Sequence, residues 1–306
     1  MSENPIPGYI PTETGRRRGA YVIPSLFTTA NIFCGFYAVI AALKGYQALS
    51  TDVAEAMRLF DNAAKAIGFA VLFDALDGRI ARMTRTTSDF GLELDSLADV
   101  LSFGLAPAVL AYAWGYGTTP DVYGLEMGKA AWVVSFLYLV CGAFRLARFN
   151  VHARRAVAVK DRRQFIGLPI PAAAGLIAAI VHFSPMPLSA RPSHSLALFG
   201  HPLQMESALL GFLLLLLVAA LSGLMISTIR YRSFKDLGVT ALSPRWTVLL
   251  LSLLVASIYF YSRWVLILLA STYVAHGIAM KGFALLRSGR KAPVSAEVST
   301  PIESEP

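Results

Sequence analysis

The chain has 306 residues, 56% of them hydrophobic and 15% charged, with a mean hydropathy of +0.57. Soluble domains carry about 25% charged residues, so these figures argue against a soluble enzyme, a disordered chain or a disulfide scaffold. The basic excess, 27 Lys+Arg against 19 Asp+Glu for a net +8, fits either a nucleic-acid footprint or the cytoplasmic loops of a membrane protein.

Residues 1–20 form a polar basic segment containing Arg16, Arg17 and Arg18. The first apolar run, 25–43, is too long for the hydrophobic stretch of a secretory signal and reads as a retained span. Further spans are expected at 64–83, 93–115, 130–149, 167–184, 205–227, 246–262 and 264–282, each near the roughly 20 residues that a bilayer crossing needs. Cys34 and Cys141 fall inside apolar runs and read as small core residues, not as a disulfide or zinc pair. The tail after Lys291 is polar, acidic and proline-bearing, the composition of a disordered segment. The expected architecture is an all-α integral membrane protein, a bundle of about eight transmembrane helices with both termini cytoplasmic. It divides into the N-terminal segment 1–20, a membrane core 21–235, a C-terminal transmembrane hairpin 236–285 and a tail 286–306.

With the N-terminus inside and the spans alternating, 21 of the 27 Lys and Arg residues fall on the cytoplasmic side. Lys44, Arg58, Lys65, Lys129, Arg191 and Arg263 fall on the other. That asymmetry is the positive-inside pattern and points to a multi-pass protein of the cell membrane. It accounts for the basic excess through topology and anionic lipid headgroups, without nucleic acid as a partner.

Four aspartates sit at the ends of the second and third expected spans. Asp74 and Asp77 are three apart and Asp95 and Asp99 four apart, so each pair shares a helical face. The short basic link 83–90 lets the two helices fold back as a hairpin and bring the four carboxylates together. Buried carboxylates are costly unless cations neutralise them, and hard oxygen ligands suit Mg²⁺ or Mn²⁺. Arg79, Arg82 and Arg85 flank the acids, and Gly78 and Gly91 mark close backbone approaches. Carboxylates, metal and arginine together can hold a diphosphate. Acids paired with these arginines, or an ion path through a coupled transporter, are the alternatives.

The residues Asp74, Asp77, Gly78, Ala81, Arg82, Gly91, Asp95 and Asp99 read D-x2-D-G-x2-A-R-x8-G-x3-D-x3-D. At every position this resembles the signature of the CDP-alcohol phosphatidyltransferases. The resemblance implies a membrane enzyme with two divalent ions at a cytoplasm-facing site, which moves a phosphatidyl group from a CDP-linked lipid to an alcohol and releases CMP. It implies Asp74, Asp77, Asp95 and Asp99 as metal ligands, with Asp99 also the general base. It implies Gly78, Arg82 and Ser88 as contacts to the CDP-lipid, and a homodimer as the assembly.

Three further segments bear on the acceptor. These are 23–35 at the start of the first span, 144–150 at the end of the fourth, and 165–174 at the start of the fifth. They resemble the bacterial and archaeal membrane-type branch of that family, in which CDP-diacylglycerol is the donor and L-serine the acceptor. The likeness implies Asn31 as a further donor contact. Serine carries a carboxylate, so its pocket needs a cation, and Arg145 and Arg148 are the candidates. Glycerol phosphate, inositol or inositol phosphate are the alternative acceptors.

Overall fold

The structure is a computed structural model that describes residues 18–84, 89–121, 126–156, 167–191, 194–198, 201–205, 207–229 and 244–288. Ser88, Arg85, most of the N-terminal segment and nearly all of the tail lie outside these residues, as does the Arg82 side chain.

Helix α1 (Arg18–Ala48) is followed after a short turn by α2 (Val53–Thr84), and the two lie against each other along much of their length. Their seam is built from small side chains: Ala38, Ala41 and Ala42 of α1 and Ala56, Ala63, Ala64 and Ala70 of α2 are buried. Lipid tails give no hydrophobic drive for helix pairing, so close backbone approach over small residues holds such a seam. Asp52 starts α2, its carboxylate accepting from the amides of Ala54 and Glu55 at 2.9 and 3.1 Å, an N-terminal cap.

Next come α3 (Asp89–Asp99), a π-helical stretch (Val100–Leu105) and α4 (Ala106–Trp114), which run on without a break in helical character. A π-stretch shifts the hydrogen-bond ladder by one residue and frees backbone groups. Here outside groups meet it: the Tyr138 hydroxyl donates to the Phe103 carbonyl at 3.2 Å, and Ser102 donates to the Asn31 carbonyl at 2.9 Å. A short 3-10 turn (Tyr116–Thr118) leads towards α5 (Met127–Ala156). Then follow α6 (Ile170–Phe183), α7 (Ser207–Ile226) and α8 (Pro244–Ser288).

Six helical segments are long and apolar enough to cross a membrane: Leu26–Ala48, Phe90–Thr118, Met127–Val151, Ile170–Ala190, Ser207–Ile226 and Ser252–Gly277. The molecule is a multi-pass helical membrane protein. Five of the eight expected spans are recovered as separate candidates, two fall together on one, and one has no counterpart, and the differences have causes. The expected span 64–83 lies in α2, which is long but carries Asp61, Lys65, Asp74, Asp77 and Arg79 and so lacks a continuous apolar run. The expected spans 246–262 and 264–282 fall within one 45-residue helix, α8, interrupted where Tyr261 adopts non-helical φ −130° and ψ 38°. That break lies two residues from Arg263, where the sequence reading divides the spans.

The spans are helical, but the chain is not helical throughout. Between α6 and α7 lies an antiparallel hairpin of β1 (His194–Leu198) and β2 (His201–Met205), with Leu196 opposite Leu203. The sequence there alternates weakly and carries Pro202 within β2, and the all-α expectation passed over it.

Candidate functional site

The signature aspartates meet where α2 and α3 come together. Asp74, Asp95 and Asp99 each present a carboxylate oxygen, and these three atoms lie within 4.8 Å of one another. Asp99 ends α3 immediately before the π-stretch, so its position is fixed by the Ser102 and Tyr138 bonds that hold that stretch. Asp77 is buried and close enough to interact with Asp95 and Asp74, but it accepts a hydrogen bond from the Thr28 hydroxyl of α1. Helix α1 is thereby tied to the acidic pair of α2.

Three hard oxygens at this spacing fit a divalent cation. Asp99 is 8% exposed, and its Oδ1 has no hydrogen-bond partner. Among the described residues no lysine or arginine is ion-paired with Asp74, Asp95 or Asp99. Buried carboxylates gathered without an ion-paired side chain suit an external positive charge.

The candidate ligand contacts surround this cluster. Asn31 is buried beside Asp99, and neither its amide nitrogen nor its oxygen makes a hydrogen bond of good geometry. A buried amide with both ends open is rare in a settled core. Gly78 lies on an exposed face of α2, where a Cβ would meet nothing within 4 Å. Arg145 of α5 is also buried, its Nε without a partner, within electrostatic range of Asp99, Arg148 and Tyr273. Arg148 points elsewhere with part of its guanidinium: Nη1 donates at 3.1 Å to the Ile226 carbonyl at the end of α7. A cation on the last carbonyls of a helix is favourable. Beside it, Gly167 has φ +86°, and its amide donates to the Ile229 carbonyl at 2.8 Å. A Cβ at Gly167 would come within 2.4 Å of the Met225 carbonyl oxygen, so this turn admits only glycine.

Of the expected site residues, the structure therefore brings together Asp74, Asp95, Asp99, Asn31 and Arg145, with Asp77 alongside. Gly78 sits on α2 between the acids and the link, and Ser88 and the side chain of Arg82 lie outside the described residues. Positioning residues that the sequence did not single out are Ser102 and Tyr138. Asn150, within the 144–150 segment of α5, donates to Ser96 Oγ at 2.7 Å and so ties α5 to α3. Each acts across a long sequence separation, and no local pattern announces it.

A family model described as CDP-alcohol phosphatidyltransferase matches residues 21–210. A CDP-diacylglycerol--serine O-phosphatidyltransferase of Helicobacter pylori strain J99 is 38% identical over 215 residues, which cover 70% of this chain and 73% of that protein. Proteins of the same name from Saccharomyces cerevisiae and Methanocaldococcus jannaschii are 37% and 36% identical. Their matches cover 51% and 45% of this chain and 51% and 59% of their own. The family match takes in α1 to α6, every signature aspartate and both candidate arginines of α5. The carboxylates it brings together are the ones gathered in space, and the chain belongs to the CDP-alcohol phosphatidyltransferase family of membrane phosphotransferases.

Proposed function

We propose that the protein transfers the phosphatidyl group of CDP-diacylglycerol to the hydroxyl of L-serine, giving phosphatidylserine and CMP. One observation carries this reading: three carboxylates within 4.8 Å beside a buried arginine, in a chain whose relatives bear the serine phosphatidyltransferase name. Asp74, Asp77, Asp95 and Asp99 would hold two divalent ions, Mg²⁺ or Mn²⁺. Such ions offset the charge of a diphosphate and polarise the phosphorus under attack.

The chain's own residues do the rest. Asp99 accepts the proton of the serine hydroxyl as its oxygen bonds to the lipid-linked phosphorus. The bond from that phosphorus to the bridging oxygen breaks, and the electron pair leaves with CMP. Asn31, Gly78, Arg82 and Ser88 hold the CDP-lipid. In support, Asn31 has an unsatisfied amide at the cluster, and Gly78 leaves open space that packing does not demand. Arg145 receives the serine carboxylate, with Arg148 next to it on the same helix. Arg145 suits that role better, because Arg148 is partly committed to the Ile226 carbonyl.

The proposal places the site at the cytoplasmic face of the cell membrane, with both termini on that side and about eight crossings, α2 and the two parts of α8 included. The charge asymmetry of the loops supports this. The catalytic unit is residues 21–235, followed by the C-terminal hairpin 236–285, a division supported by the family match over 21–210. A homodimer is included on the family resemblance alone.

The test is transfer from CDP-diacylglycerol by the purified full chain, in Mg²⁺ or Mn²⁺ buffer, to labelled serine, glycerol phosphate, inositol and inositol phosphate in separate reactions. CMP release and lipid labelling with serine alone is the expected outcome. Transfer to another alcohol and none to serine would reassign the acceptor.

A further inference from the structure

Trp114 lies 15 residues after Asp99, about 22 Å along a helical path at 1.5 Å per residue. At that far end α4, α6 and α7 leave a groove of about 340 Å³, within the range of about 300–1,000 Å³ where ligand sites fall. Its walls are apolar, with Ile180 and Phe183 from α6 and Leu213 and Leu217 from α7. Leu213 is 48% exposed, so the groove opens onto the outer surface of the bundle.

Three polar side chains interrupt this apolar lining, Trp114, Ser184 and Arg191, and the indole and the guanidinium are donors only. Trp114 is 2% exposed, and its indole N–H has no acceptor. The Arg191 guanidinium lies over the Trp114 ring, 5.8 Å from its centroid. Its Nη2 donates to Ser184 Oγ at 2.7 Å, and its Nε reaches the Met186 carbonyl at 3.4 Å. Among the described residues no carboxylate pairs with it. The pair also sits at a boundary: the apolar segment Ile170–Ala190 ends one residue before Arg191, and Phe90–Thr118 ends just beyond Trp114.

We propose that this groove binds one resident phospholipid, its phosphate at Arg191 and Trp114 and an acyl chain along Leu213 and Leu217. A phosphate supplies an acceptor for the Trp114 indole N–H and a negative charge opposite the Arg191 guanidinium, which keeps its bonds to Ser184 and Met186. The order of groups, a cation and an indole at the edge of the spans and leucines deeper in, matches the order of headgroup and chain in a leaflet. Inorganic phosphate satisfies only the polar half. The site is distinct from the aspartate cluster, so the bound lipid is not the reacting one.

Native mass spectrometry of the full chain, delipidated in detergent and titrated with phosphatidylglycerol, tests this. The wild type should retain one phospholipid tightly. Arg191→Gln removes the charge and Leu213→Trp fills the groove with Arg191 intact, and each should weaken retention about tenfold. Both variants should release CMP at the wild-type rate, which shows that they are folded. Undiminished retention in either variant overturns the proposal. So does displacement of the lipid by inorganic phosphate, which would indicate an anion site without a chain.

Discussion

Asp99 stands at the junction of α3 and the π-stretch, buried, with one carboxylate oxygen unpartnered. An asparagine there keeps the shape and a coordinating oxygen but cannot accept the acceptor's proton. Asp99→Asn should lower CMP release by about 10²–10⁴, the usual contribution of a general base, while binding of CDP-diacylglycerol persists. Steady-state kinetics with a separate donor-binding measurement checks it, and near wild-type turnover would remove Asp99 from the base role. Arg145 makes a different prediction, because it faces the cluster from α5 rather than belonging to it. Arg145→Gln should raise KM for serine about tenfold or more, the cost of losing a charge-assisted contact, with KM for the donor unchanged. An arginine that only supports packing would instead lower kcat or yield with both KM values alike. The aspartates were legible from sequence because fixed spacing on two adjacent helices is a local pattern. Thr28 on Asp77, Ser102 on Asn31 and Tyr138 on Phe103 were not, because each joins segments that only folding brings together.

Among the elements, α1 and the π-stretch are closely packed beside the aspartate cluster. A Cβ at Gly35 would lie 2.3 Å from Ser102 Oγ and 2.7 Å from its Cα, so a methyl group there must push backbone aside. The sequence placed α1 and the helices that follow well, since long apolar runs leave few other choices in a bilayer. It did not disclose the π-stretch, which no composition signals, or the β1–β2 hairpin, whose strands are only five residues each. Nor did it find what holds α8. There His182 of α6 is buried, its Nδ1 2.6 Å from Asp61 of α2 and its Nε2 2.9 Å from Ser262, just past the Tyr261 break. Lys65 closes the group on Asp61 at 2.7 Å. Scattered histidines gave no sequence reason to join these three helices. His182→Ala should strip Asp61 and Ser262 of a partner and lower stability by about 1–3 kcal/mol. The measurement is thermal unfolding in detergent, and an unchanged midpoint would show that α8 is held by apolar packing such as Phe183 on Trp264, 4.7 Å apart.

For the whole molecule, the two ends of the bundle differ in chemistry. One carries the acidic cluster with Arg145, and the other carries Asp61, His182 and the groove at Arg191. The proposed orientation rests on charge, because Lys and Arg are retained inside during insertion, and 21 of 27 fall on the aspartate side when eight crossings alternate along the sequence. On that proposal the turn between α1 and α2 would face outward and the far end of α2 inward. Ser50 is exposed in that turn and Met83 is 79% exposed near the end of α2. Single cysteines at these positions, in a chain with Cys34 and Cys141 replaced by alanine, test the orientation directly. A membrane-impermeant maleimide added to intact cells should label Ser50→Cys, and should label Met83→Cys only after permeabilisation. The reverse pattern would put the aspartates on the outer face, away from a cytoplasmic supply of CDP-lipid and serine. Labelling of both in intact cells would mean that α2 does not cross at all, and that its charged first half and its aspartates share one side.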